Sequence, residues 1–248
     1  MKSIRRFSTR SLHGRIAHII GRRIIGGDYE EGETLPNEDA FGIELSVSRT
    51  ALREAFKVLA AKGLLESKPK VGTKVKHKTQ WNMLDPDVLA WHFETSPSVD
   101  FLKSLFEMRQ IFEPNAAAMA AKRRTDEQLQ VISDAYYAME NTEQDTQAVL
   151  DSDLAFHLGI VDASGNPFMH SMGMMIETAL MGSFHLSSAK PRAQVSSLPA
   201  HKAVFIGIRD KDPERARFEM QQLLDKAVED ARYTLLSNHE LSTENFTL

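Results

Sequence analysis

Cysteine is missing altogether from the 248 residues, which excludes disulfides and thiolate metal sites; a metal ion would have to be held by His, Asp or Glu. A long apolar run is missing too. No stretch approaches the roughly 20 consecutive apolar residues that a membrane span needs, and the opening MKSIRRFSTR has no apolar core of the signal-peptide kind. These absences predict a cytoplasmic protein that does not engage a membrane. Repeats and low-complexity tracts are also lacking. What is present, 42% hydrophobic and 26% charged residues, is the composition of folded domains rather than of a disordered chain. The length suits two domains, each with its own core.

Charge divides the chain unevenly. Residues 1–80 hold 16 Lys+Arg against 9 Asp+Glu, and the remainder holds 14 against 25. A basic first module attracts a polyanion by counterion release, whereas the acidic remainder repels one.

Apolar spacing predicts a helix over 11–25, with Leu12, Ile16, Ile19, Ile20 and Ile24 on one face and Gly26-Gly27 as its stop. After a loop, Asn37 is suited to cap a short helix, and Ser48 to cap the next. In that helix Leu52, Ala55, Phe56 and Leu59 form a core stripe, while Arg49, Thr50, Arg53 and Lys57 project outward. Gly63 ends it. Two short strands then flank a tip that includes Lys68, Lys70 and Gly72. Three helices and a hairpin, in this order, make a winged helix-turn-helix over 1–79. Long polar donors at a helix start meet the acceptors of the DNA major groove, so Arg49, Thr50 and Arg53 are candidates to contact bases or phosphates. Lys68, Lys70, Gly72 and Lys74 in the wing suit phosphate or minor-groove contact. The competing reading has Arg53 paired with Glu38 or Glu54 on a solvated surface.

Residues 80–99, with Pro86 and Pro97, read as a linker. Beyond them the pattern is mainly helical over 100–238, an antiparallel all-α bundle, followed by a frayed tail at 239–248. Helices are expected over about 101–122 with a bend at Pro114, from the Thr125 capping box to about 141, over about 147–163 and 169–185, from Pro199 to 209, and from Pro213 behind the cap Asp212. Asp153 and His157 lie four apart on one helix, and His201 opens a later one. Such a set suits zinc, nickel or manganese, but an Asp/His pair at this spacing is also a common simple hydrogen bond. Arg109 stands among apolar residues and needs a partner, either Glu113 or the carboxylate of a ligand.

The first module closely resembles the GntR family. The matching residues are Gly27-Asp28-Tyr29-Glu30-Glu31-Gly32, Leu35-Pro36-Asn37-Glu38, Val47-Ser48-Arg49-Thr50-Ala51-Leu52-Arg53-Glu54-Ala55, Leu59, Gly63-Leu64 and Gly72-Thr73-Lys74-Val75. The resemblance implies a homodimer that places two recognition helices on a palindromic operator, usually as a repressor released by a metabolite. It also shows a departure: some fatty-acid-responsive members carry Arg directly after the helix-two Glu, where this chain has Asp39, so that contact does not carry over. Arg109, Glu113-Pro114, Asp153, Phe156-His157, Gly165-Asn166, His201, Asp212 and Ala216 resemble the FCD effector domain of the FadR branch. There an Asp and three His commonly hold a metal beneath the ligand. In the register set by Ala216 and Met220 the last His is Leu223 here. Asp153, His157 and His201 remain, either as metal ligands completed by water and effector oxygens or as bare hydrogen-bonding groups, with His170 and His185 as substitutes. Gln80-Trp81-Asn82-Met83-Leu84-Asp85-Pro86-Asp87-Val88-Leu89-Ala90-Trp91 resembles the corresponding segment of galactonate-responsive regulators. The effector this implies is a sugar acid, bound across Arg109, Asp153, His157 and His201. The alternatives are a metal-dependent hydrolase fused to a DNA-binding head, and an architectural DNA binder with a ligand-free helical domain.

Overall fold

The computed structural model describes residues 11–68, 71–95, 97–142, 146–173, 176–177, 180 and 193–237. Lys70, His185, much of the helix expected over 169–185, and the tail at 239–248 lie outside the described residues. Two compact units are formed, Met1–Pro97 and Ser98–Leu248.

In the first unit α1 (Leu12–Ile25), α2 (Glu38–Glu44) and α3 (Arg49–Ala61) precede the antiparallel pair β1 (Leu65–Lys68) and β2 (Gly72–Val75). The caps fall where side-chain oxygens can satisfy free helical N–H groups. Ala40 N donates to Asn37 Oδ1 at 2.9 Å, and Ala51 N to Ser48 Oγ at 3.2 Å. Register runs from Leu65 opposite Val75 to Lys68 opposite Gly72. The loop before α2 adds a short third pairing, Thr34 with Lys74, and Leu35 N donates to Thr73 O at 2.8 Å. Ile16, Ile20 and Ile24 bury against Phe41, Leu52, Phe56, Leu59 and Leu65, whereas Leu12 and Ile19 of the expected apolar face are exposed. Three inward isoleucines supply the contact that this small core needs.

Residues 80–94 are not a loose linker. After a 3-10 turn at Lys78–Gln80, α4 (Pro86–Glu94) forms, with Asp85 as its N-cap and Pro86 in its first turn, where a missing N–H costs nothing. Trp81, Val88 and Trp91 join the core of the first unit. Trp91 packs so closely on α1 that a Cβ at Gly21 would lie 2.3 Å from its ring. Lys62, just past α3, clamps the start of α4: its Nζ lies 2.8 Å from both Asp85 carboxylate oxygens and 2.6 Å from Asp87 Oδ2, all three side chains being largely buried. Between them Gly63 turns with φ 81°, and a Cβ there would meet Gln80 O at 2.2 Å.

The second unit is helical throughout its described regular structure: α5 (Val99–Arg123), α6 (Asp126–Asn141), α7 (Thr146–Ala163), a helical stretch at 167–173, α8 (Ala193–Arg209) and α9 (Pro213–Ser237). The Thr125 capping box forms, with Thr125 N donating to Gln128 Oε1 at 2.9 Å and Gln128 N to Thr125 Oγ1 at 3.2 Å. Helix α5 continues through Pro114 and packs Ala116, Ala117, Ala120 and Ala121 into a core with Phe156, Ile160, Val204, Ile208, Met220 and Leu224. Small residues let α5 lie close against α7 and α9. Helix α8 starts at Ala193 rather than at Pro199, which is tolerated inside it, so His201 stands in mid-helix and not at an opening turn.

Candidate functional site

A chain of ionisable side chains runs through the apolar core of the second unit. Arg109 and Glu113, one turn apart on α5, are buried and paired, with Arg109 Nε donating to Glu113 Oε1 at 2.6 Å. The other oxygen, Oε2, lies 2.5 Å from His157 Nδ1 of α7. One turn before His157, the half-buried Asp153 places Oδ1 at 3.8 Å from His157 Nε2 and 2.9 Å from His201 Nε2 of α8. The simple Asp153–His157 hydrogen bond is therefore not made: 3.8 Å is beyond its reach. Phe156 lies edge-on to both imidazoles, at 5.8 Å from His157 and 5.3 Å from His201.

The protonation pattern follows from the partners. Burial works to raise the Glu113 carboxyl, but the charges of Arg109 and His157 outweigh it and hold the pKa at about 2. Asp153 is likewise lifted by burial and overcome by the His201 contact and the charge of His157, again to about 2. Both acids are thus acceptors only. Glu113 must receive the Nδ1 proton of His157, and the Ser197 carbonyl, 3.0 Å from His201 Nδ1, must receive that of His201. A metal would displace any second proton from each ring, leaving Nε2 as a lone pair. The buried His201 Nε2 has no hydrogen-bond partner, since its approach to Asp153 lacks the required alignment.

Three potential ligand atoms, an Asp153 oxygen and two imidazole nitrogens, thus converge within 4.8 Å of one another. A divalent cation fits such a set, and Glu113 behind His157 and the carbonyl behind His201 are the outer partners that fix metal-binding imidazoles. Among the described residues the other candidates do not join it. Leu223 is buried in the apolar core, and His170 is exposed and sits 3.2 Å from Asp162. Glu113 was foreseen only as a partner for Arg109; its bond to His157 spans 44 residues, and no local spacing announces it.

On the first unit Arg49, Thr50 and Arg53 all stand on the exposed face of α3. The surface pairing of Arg53 is present: its Nε donates to Glu38 Oε2 at 2.7 Å, while Arg49 Nε pairs with Asp39. Both arginines stay largely in solvent, at 69% and 65% side-chain exposure, so neither is tied into the core. In the wing Lys68 is exposed and lies 3.1 Å from Glu66, and Gly72 is exposed at the turn into β2.

Comparison with known proteins assigns both units. Residues 12–75 match the model of the "Bacterial regulatory proteins, gntR family", and residues 104–226 match that of the "FCD domain". The galactonate operon transcriptional repressor of Escherichia coli K12 is 32% identical over 82% of this chain and 89% of its own length. The transcriptional repressor NanR of Klebsiella aerogenes is 28% identical over 79% of this chain and 75% of its own. Among solved structures, Lar, which controls expression of the Listeria monocytogenes agr system, aligns with TM-score 0.66 and 18% identity over 90% of this chain and 97% of that one, a likeness of fold alone.

Proposed function

The chain belongs to the gntR family of bacterial regulatory proteins and joins a DNA-binding head to an FCD domain, and from that premise we propose that it represses a sugar-acid catabolic operon until the acid binds. It is a DNA-binding transcription regulator, not an enzyme. The described residues hold no helix long and apolar enough to cross a membrane. The observation that carries the sensor reading is the buried array of Arg109, Glu113, His157, Asp153 and His201. Burying charge in an apolar bundle is costly and needs compensation.

With neutral imidazoles the array carries one more negative than positive charge. A divalent cation such as zinc, nickel or manganese held by Asp153, His157 and His201 would reverse that balance and offer an electrophile to carboxylate and hydroxyl oxygens. Glu113 holds the Nε edge of Arg109, leaving the terminal nitrogens for a carboxylate. An acid drawn to these groups would shift the population of dimer states toward one that grips the operator less well. On the DNA, Arg49, Thr50 and Arg53 of two protomers would read a palindrome, with the wing, through Lys68, Lys70 and Gly72, on the backbone.

Fluorescence anisotropy with the promoter DNA beside the gene tests this directly, titrated with galactonate and other hexonates. Specific binding that a hexonate reverses is expected. Binding no tighter than to unrelated DNA sinks the operator reading, and indifference to every hexonate sinks the effector reading. Arg49→Ala and Arg53→Ala should each weaken specific binding with an unchanged helical spectrum. Light scattering should give twice the chain mass.

A further inference from the structure

Both outward arginines of α3 face, at the Nε edge, an acidic residue in the first turn of α2, Arg53 through a hydrogen bond and Arg49 through an ion pair. Arg49 Nε pairs with Asp39 Oδ1, and Arg53 Nε with Glu38 Oε2. Exposed ion pairs of this kind add little to stability, so the fold does not explain them. Their chemistry does bear on DNA. A guanidinium is a rigid plane; with Nε occupied, its two terminal nitrogens still present a parallel pair of donors, the set that matches guanine O6 and N7. An acid on a DNA-contacting face also repels phosphate, and so costs affinity unless it is used.

We propose that Asp39 is a positioning residue for base recognition: by holding Arg49 at Nε it aims the terminal nitrogens at a guanine and turns them away from the phosphate backbone. Asp39 occupies the position where the family resemblance shows Arg in some members, so the same site supplies a cation there and an anion here. Arg49 has several rotatable bonds and, left alone, would spread over bases and phosphates alike. The carboxylate narrows that spread before DNA arrives, which converts a general cation into a selective one. The inference rests on the proposed reading that Arg49 contacts the operator.

The test is selection of duplexes randomised over about 20 bp, two turns of DNA, by the full-length chain. Wild type, Arg49→Ala and Asp39→Ala are compared, each checked by circular dichroism for an unchanged fold; Asp39 is well exposed, so its loss leaves the core alone. Arg49→Ala should erase a guanine preference at one symmetric pair of positions. Asp39→Ala should weaken the preference at the same pair by part of the roughly 5- to 150-fold that one bidentate contact supplies, less than Arg49→Ala does, while non-selected duplex binds more tightly. If Asp39→Ala raises affinity for all duplexes in proportion and leaves the guanine preference intact, Asp39 is an ordinary surface acid and the inference fails. If Arg49→Ala itself leaves the preference intact, the underlying reading of the DNA face fails with it.

Discussion

Replacing Glu113 by Gln should unfold the second unit at a markedly lower temperature although the change is nearly isosteric. Glu113 is 1% exposed and Arg109 2%, and the glutamate accepts from Arg109 Nε at 2.6 Å and from His157 Nδ1 at 2.5 Å. A glutamine amide has one acceptor oxygen for these two donors, so its NH2 must face an N–H or force the His157 ring to the tautomer that leaves Nδ1 unprotonated. The Arg109 charge is also left without its counter-charge in an apolar surrounding. Breaking a buried pair on one side costs about 3–5 kcal/mol. For a protein of this size roughly 2–4 °C is lost per kcal/mol, so a fall of about 6–20 °C in the midpoint of the second unit is expected. Calorimetry at pH 7 in the presence of chelator measures it without a contribution from metal. The double variant Arg109→Met/Glu113→Gln should recover part of the loss, because the orphaned charge goes too. A midpoint for Glu113→Gln within about 2 °C of wild type would refute the buried network as an energetic unit.

Metal stabilises in proportion to the logarithm of its free concentration, so adding zinc, nickel or manganese to chelator-treated protein should raise the midpoint, and His201→Ala should abolish the rise. His92 is held down from 6.5 to about 4, mainly by burial and then by Lys78. Its neutral form is therefore favoured in the fold, so stability is complete above pH 6.5 and is lost as pH falls toward 4, by up to about 3 kcal/mol. His92→Gln should flatten that window in tryptophan-fluorescence unfolding curves, since Trp81 lies 6.3 Å from the His92 ring. Gly63→Ala combines a positive φ with the clash on Gln80 and should destabilise the head by about 2 kcal/mol or more, read as loss of DNA binding on mild warming.

Helix α3 was legible because its signals are local: Ser48 caps it, its core stripe repeats at helical spacing, and Gly63 stops it. Helix α4 was not. Prolines mark both breaks and first turns, and only packing shows that Pro86 marks the latter, with Trp91 seated against Gly21. Pro199 misled in the opposite sense: read as a helix start, it lies inside α8. In the sensor unit the three converging donors could be picked out beforehand, Asp153 and His157 by helical spacing and His201 by its place on a later helix, with the family resemblance sharpening the set. The proton direction at His157 could not, because it depends on Glu113, 44 residues away on another helix, a contact that exists only once the helices are packed. That at His201 needs only the Ser197 carbonyl one turn back, and was hidden because Pro199 was read as the helix start.

The clamp of Lys62 on Asp85 and Asp87 has a practical meaning for anyone wishing to transplant this DNA reader. A cut after the wing, near residue 79, would discard Trp81, Val88 and Trp91 and leave the ammonium of Lys62 facing no carboxylate, so the excised fragment should aggregate. A cut at 97 carries α4 along as an integral buttress. Chimeric regulators that graft this head onto foreign sensors should therefore be spliced beyond Glu94, where the module ends physically, rather than where its hairpin suggests it is finished.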